Sequence, residues 1–427
     1  MKVIPRDQHC VSRKDISQGA LRVMARLRGE GHQAYLVGGA VRDLLLGGHP
    51  KDFDVATDAT PEQVRSAFKS ARIIGRRFRI VHVRQGREII EVTTFRGSHT
   101  APEETEPESS QAKRSSRGLL LRDNVFGTLE EDAIRRDLTV NALYYDSGTF
   151  EVYDHVGGTE DLEAQRIRVI GDPWVRYRED PVRMLRTIRF AAKLGFQIDE
   201  ENADPIEQLA PLLDDIPPAR LFDEFGKLFL SGYGLETLNL LREWSLLERL
   251  FPESARLAKK NTFYARILEC AMENTDQRIQ LEKPVTPAFT LAALLWPAVD
   301  DRRQQLENEG MHTVPAMHSA GQEIVAATCQ RVAIPRRFSL PMREIWELQL
   351  RLSKTKGKKT VEQLSKRRFR AAYDFILLRE QAGEDLNGLG EFWTKLQDEH
   401  EVPQHVPDKE HQRRPRRRGG RRRQSAE

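Results

Sequence analysis

Leu36-Val37-Gly38-Gly39-Ala40-Val41-Arg42-Asp43, followed shortly by Lys51-Asp52-Phe53-Asp54-Val55, is the stretch that decides the fold. Residues 34–37 read as a strand. The glycine pair opens a short helix running to residue 46, which Gly47-Gly48 ends. A second strand is expected over 52–56. Residues two apart on a strand point the same way. Asp52 and Asp54 therefore project from one face, with Phe53 and Val55 packing behind. Adjacent unpaired carboxylates repel each other, and a divalent cation removes that cost while creating a centre for phosphoryl transfer. The glycine pair beside them offers backbone N–H groups to a triphosphate.

Working outward, Ile16, Ala20, Val23, Met24 and Leu27 have helical spacing, which predicts a helix over 15–28. Thr60-Pro61-Glu62-Gln63 has the form of a capping box with proline at the first helical position, so a helix to residue 69 is expected. Strands follow over 72–74, 79–83 and 88–94, with Gln85-Gly86 as a hairpin turn. Residues 98–117 are acidic, then basic, with little apolar content, and read as a mobile loop. A helix over 134–141, strands over 142–145 and 150–153, and an extended segment over 166–170 complete an α/β unit with a mixed sheet. From Asp180 the pattern turns helical, with Asp180 capping, Pro181 starting and Gly195 ending the first helix. Helices over 221–230, 235–250, 285–295, 342–352 and 369–382 follow, without strand signals. The expected plan is an α/β head over 1–170, helical segments over 171–255 and 256–400, and a disordered tail over 401–427.

No apolar run approaches the ~18 residues of a membrane span. The first residues, Met1 to Asp7, lack the apolar segment of a secretion signal. Three scattered cysteines make neither a disulfide framework nor a zinc site, so a reducing cytoplasm is expected. The net charge of +4 hides an asymmetry. Residues 411–427 hold eight arginines against one glutamate, which leaves the rest of the chain slightly acidic. Arg413, Arg414, Arg416, Arg417 and Arg418 open that run. It reads either as a tether for phosphate backbones or as a solubilising terminus.

Four further groups carry candidate chemistry. Glu91, in Ile89-Ile90-Glu91-Val92, is either a third carboxylate or an exposed residue of an edge strand. Arg135 and Arg136 can reach phosphates as bidentate donors. Asp137 can orient an arginine or bind near a metal, and Asn141, one helical turn on, would share its cleft. Asp180 and Arg183 offer an acceptor and donors suited to a nucleobase edge. Arg183, Arg186, Arg189 and Lys193 form a basic stripe, which is also what a solvated helix face looks like. Lys354, Lys356, Lys358, Lys359, Lys366, Arg367, Arg368 and Arg370 form either an RNA backbone groove or an ordinary solvated surface. His82 reads mainly as a strand residue.

Taken together, the chain resembles the class II nucleotidyltransferases of the polymerase-beta superfamily, which include bacterial poly(A) polymerases and CCA-adding enzymes. The resemblance rests on residues 36–43, Asp52-Phe53-Asp54, Arg135-Arg136-Asp137-Leu138-Thr139-Val140-Asn141 and Arg178-Glu179-Asp180-Pro181-Val182-Arg183, in this order. Ile73-Ile74-Gly75-Arg76-Arg77-Phe78-Arg79-Ile80-Val81-His82-Val83 is similar to the poly(A) polymerase branch. The resemblance implies a catalytic head followed by neck, body and leg. It also implies ATP and RNA 3′ ends as substrates, and two Mg²⁺ ions held by Asp52 and Asp54. Gly38, Gly39 and Arg42 would line the triphosphate, and Asp180 and Arg183 would contact the base. The third acid is either Glu91 or Asp137. RNA decay is the implied setting, with RNA-decay or RNA-chaperone proteins as implied partners. The alternatives are a CCA-adding enzyme and a non-enzymatic RNA-binding protein on the same fold.

Overall fold

A strand, a tight glycine turn and a short helix start the centre of the head, as the apolar pattern requires. The computed structural model describes residues 1–75, 79–97, 125–356 and 360–400, with the backbone of 113–114 and 120–122. The expected loop 98–117, Lys358, Lys359 and the arginine tail lie largely or wholly outside the described residues.

Eight strands form the main sheet: β1 (Lys2–Ile4), β2 (Ala34–Val37), β3 (Asp54–Thr57), β4 (Ala71–Ile74), β5 (Ile80–Gln85), β6 (Glu88–Thr94), β7 (Leu143–Asp146) and β8 (Glu151–Asp154). Their order is β1-β8-β7-β2-β3-β6-β5-β4. The β3–β6 pair is parallel and the other pairs are antiparallel, so the mixed sheet is as expected. Helix α1 (Gln18–Gly29) buries Ala20, Val23, Met24 and Leu27. Helix α2 (Gly39–Leu45) follows the turn, and α3 (Pro61–Ala67) starts at the predicted capping box: Gln63 N–H donates to Thr60 Oγ1, and Thr60 N–H to Gln63 Oε1.

Two local expectations need correction. The strand bearing the acid pair begins at Asp54, not Asp52, and Asp52 sits in the segment leading into it. The alternation survives: Phe53 and Val55 are buried, Asp52 is exposed and Asp54 half-buried. The helix expected over 134–141 is instead α4 (Leu129–Arg135), set by a Thr128–Glu131 capping box. It stops because Arg136 turns extended, at ψ 168°. The carbonyls of Arg135 and Arg136 both accept from Arg176 Nη2, at 2.7 and 2.6 Å, which offsets what the broken helix leaves unpaired. Asn141 ends a separate short turn, Thr139–Asn141.

The remainder is helical: α5 (Gly158–Glu163), α6 (Pro173–Glu179), α7 (Val182–Leu194), α8 (Glu200–Leu209) and α9 (Pro218–Phe229), then nine further helices of varied length through Leu389–Glu399 among the described residues. Helix α6 was not anticipated, although Asp172-Pro173 is itself a cap-and-proline start: Asp172 Oδ1 accepts from Trp174 N–H at 2.8 Å. Helix α7 runs between Pro181 and left-handed Gly195, as expected. Strand β1 (Lys2–Ile4) was missed, as was Gln197–Ile198, which pairs in parallel with Arg166–Ile167. The helix expected over 235–250 is broken near Ser245, whose φ is 55°. A single apolar cluster runs from Ile4 to Ala382, so head and following helices share one core. Among the described residues, no helix is long and apolar enough to cross a membrane.

Candidate active site

Strand register brings the first two carboxylates together. Asp54, at the start of β3, lies opposite Val37 on β2 and Glu91 on β6. Burial, then the charge of Glu91, push the Asp54 carboxyl up to about 6; Asp52 adds to the shift and Arg136 opposes it. A buried carboxylate raised further by neighbouring carboxylates marks an acidic cluster. Among the described residues, no group of three or more acids, histidines or cysteines is close enough to cage a metal. Magnesium does not need such a cage. It is commonly held by one or two carboxylates, with waters and substrate phosphates completing its shell. Hard oxygen donors at Asp52, Asp54 and Glu91 fit that ion.

The glycine turn stands beside these acids. Gly38 has φ 74° and ψ −136°, which a side chain rarely adopts, and its N–H donates to Leu143 O at 3.3 Å. A methyl group added there would lie 3.7 Å from Arg136 Nη1 and 3.9 Å from Asn141 O, so the turn, Arg136 and the Asn141 backbone adjoin. Arg136 is clamped from behind. Its Nε donates to Tyr144 Oη at 2.8 Å, its Nη2 to Asp132 Oδ2 at 2.9 Å, and its guanidinium stands 5.1 Å from the Tyr144 ring centre. Arg135 differs: burial, then the charges of Arg96, Arg176 and Arg183, lower its pKa to about 10.

Arg42, expected to line a triphosphate, is only 1% exposed. Its Nε donates to Asp43 Oδ1 at 2.7 Å, its Nη1 donates to Asn141 Oδ1, and Phe190 of α7 lies beneath it at 5.1 Å. Arg42 and Asn141 therefore hold each other. Asp137 does not share their arrangement. It lies beyond the end of α4 and accepts from Arg183 Nε at 2.9 Å and from Arg186 Nη1. Burial would raise its carboxyl, but Arg186 and Arg183 hold it well below the usual carboxylate range. Arg183 Nη1 also donates to Arg176 O at 2.9 Å and Glu179 Oε2 at 3.1 Å. Asp180 accepts from Val182 N–H at 3.3 Å and from Arg220 Nη2 of α9 at 2.6 Å. Asp180 and Arg183 thus have different side-chain partners rather than each other. Asp132, Tyr144, Arg176 and Arg220 were not singled out from sequence. Only Asp132, four residues before Arg136, left a local signal.

Lys354 and Lys356 line a cavity of about 830 Å³ with Val314, Pro315, Leu350, Arg351 and Lys366. Arg367 is exposed, and Arg368 Nε donates to Glu344 Oε2 at 3.0 Å.

Comparison with known proteins places this geometry. Family models match three segments: the Poly A polymerase head domain over residues 34–168, the probable RNA and SrmB-binding site of polymerase A over 195–257, and the polymerase A arginine-rich C-terminus over 309–425. Poly(A) polymerase I of Salmonella typhimurium is 49% identical over 402 residues, covering 93% of this chain and 86% of that protein. The chain belongs to the poly(A) polymerase I family. Another poly(A) polymerase I, from Escherichia coli O157:H7, is 50% identical over 400 residues, covering 92% of this chain and 85% of its own. The family's fold extends to CCA-adding enzymes. The crystal structure of the Bacillus stearothermophilus CCA-adding enzyme in complex with CTP superposes with a TM-score of 0.59 at 25% identity, over 90% of this chain and 82% of that one. The architecture is thus common to poly(A) polymerases and CCA-adding enzymes.

Proposed function

We propose that this chain transfers AMP from ATP to RNA 3′-hydroxyls without a template, releasing pyrophosphate. The observation that carries the reading is the Asp54–Glu91 pair facing each other across parallel strands, with Asp52 nearby, beside the Gly38 turn and Arg136. Asp52 and Asp54 would hold Mg²⁺, two ions by analogy with other phosphoryl-transfer sites, and Glu91 serves as the third acid. Magnesium held by these acids would lower the pKa of the attacking hydroxyl and offset charge on the departing pyrophosphate. Gly39 cradles phosphates through its backbone N–H, while Gly38, whose own N–H is held by Leu143 O, shapes the turn. Arg136, fixed by Asp132 and Tyr144, supplies a preorganised positive charge next to that cradle. Asp137 acts through Arg183 and Arg186, which it orients, and Arg42 orients Asn141. Asp180 and Arg183 read the incoming base after exchanging some of their present partners for it. The cationic surface at Lys354, Lys356, Lys366, Arg367 and Arg368, and the arginine tail, hold the RNA backbone. The work belongs to RNA decay in a bacterial cytoplasm.

Likeness to CCA-adding enzymes keeps one second reading in play. Offering ATP or CTP alone, to unstructured RNA and to tRNA lacking its 3′ end, separates the two. Long adenosine tails without CTP use are expected. Incorporation of C from CTP into the tRNA, without adenosine tailing of unstructured RNA, would overturn the reading.

A further inference from the structure

Beyond the acids already described, one row of side chains continues outward across the sheet. Asp54 on β3 lies opposite Glu91 on β6, Glu91 opposite His82 on β5, and His82 opposite Arg72 on β4. Along β5 and β6 the burial alternates, so His82 and Glu91 lie on the open face while Val81, Val83, Ile90 and Val92 are buried beneath. His82 Nε2 stands 3.2 Å from Glu91 Oε1. Their side chains are 30% and 46% exposed. Ile89 and Thr93, which flank Glu91 on its face, bring no charge.

We propose that His82 is a positioning residue for Glu91: it occupies one carboxylate oxygen and aims the other at the ion shared with Asp54. The inference rests on the reading of Asp54 and Glu91 as magnesium-side acids. A glutamate has three side-chain torsions, and an exposed one samples many rotamers. Fixing one oxygen removes much of that freedom before the ion arrives. Carboxylates that bind metals are commonly hydrogen-bonded from behind, and losing the outer partner typically costs ~10–100-fold in metal affinity or activity. A plain cross-strand pair is the competing explanation; opposite charges facing across a sheet stabilise it modestly whatever lies next door. The two accounts differ in what they predict for metal binding. The glutamine side chain can place an amide N–H where the imidazole Nε2 sits, whereas leucine fills the space without a polar atom.

The experiment measures Mn²⁺ affinity of the full chain without nucleotide or RNA, by titration calorimetry or electron paramagnetic resonance, for His82→Leu, His82→Gln and Asp54→Asn. His82→Leu is expected to weaken Mn²⁺ binding 10–100-fold, His82→Gln to stay within a few-fold of the parent, and Asp54→Asn to lose binding. In parallel, the Mg²⁺ concentration for half-maximal tailing should rise in His82→Leu, with the KM for ATP at saturating Mg²⁺ little changed. If Asp54→Asn loses Mn²⁺ binding while His82→Leu keeps it, the positioning role is overturned and the site reading stands. If Asp54→Asn also keeps it, the site reading itself falls. Equal loss in the leucine and glutamine variants, with a lowered melting temperature in both, would make His82 a structural cross-strand partner only.

Discussion

Replacing Asp54 by asparagine should stabilise the metal-free head while abolishing tailing. The Asp54 carboxyl is pushed from its ordinary 3.8 up to about 6, by burial first and then by Glu91. Each tenfold change in proton affinity corresponds to ~1.4 kcal/mol, so the ionised carboxylate costs the fold up to about 3 kcal/mol. The sign follows from which form the fold prefers. The protonated acid is favoured in the native state, so its stabilising contribution is complete below pH 3.8 and is lost as the pH rises through about 6. Asparagine carries no charge at any of these values. In EDTA, Asp54→Asn should therefore match the parent near pH 4 and exceed it by up to about 3 kcal/mol near pH 8. Hydrogen exchange read on a peptide covering residues 54–57 reports the head directly. Added Mg²⁺ should close the gap, because an ion that binds only the parent's folded form stabilises that form. A variant no more stable than the parent at pH 8, or equally favoured at pH 4 and pH 8, would refute the view of Asp54 as a carboxylate strained by its neighbours.

Asp137→Ala should unfold more readily than the parent, by roughly 3–5 kcal/mol, because it strips a half-buried acid from Arg183 and Arg186. If Asp137 orients these arginines rather than binding metal, its Mn²⁺ affinity stays near normal; a large loss there would instead make Asp137 the third acid. Lys354→Glu, Lys356→Glu and Lys366→Glu together should weaken binding of unstructured RNA and flatten the slope of log affinity against log salt by about 2, at ~0.7 per phosphate contact. Affinity and slope both unchanged in a filter-binding series would remove that cavity from the RNA path.

Much of the fold was legible along the chain because its signals are local. The Thr60–Gln63 box, the helix between Pro181 and Gly195, the glycine turn at Gly38 and the alternation around Phe53 and Val55 each depend on residues a few positions apart. Errors came where a distant partner decided the outcome. The stretch 134–141 looks helical, yet Arg176, some forty residues on, takes the carbonyls of Arg135 and Arg136 and lets the backbone straighten. Gln197–Ile198 is a strand because Arg166–Ile167 lies alongside it.

From its sequence alone, this protein has its class of fold, its helical second half, the acid pair and the glycine turn, because periodicity and turn chemistry act over one or two turns of chain. Only the tertiary structure sorted the charged residues by partner. It set Glu91 beside Asp54 through parallel strand register, sank Arg42 against Asn141, and gave Asp137 to Arg183 and Arg186. The physical reason is range. A charge takes its protonation, its partner and its use from whatever the fold brings within a few ångströms, and those neighbours stand tens of residues away in the chain.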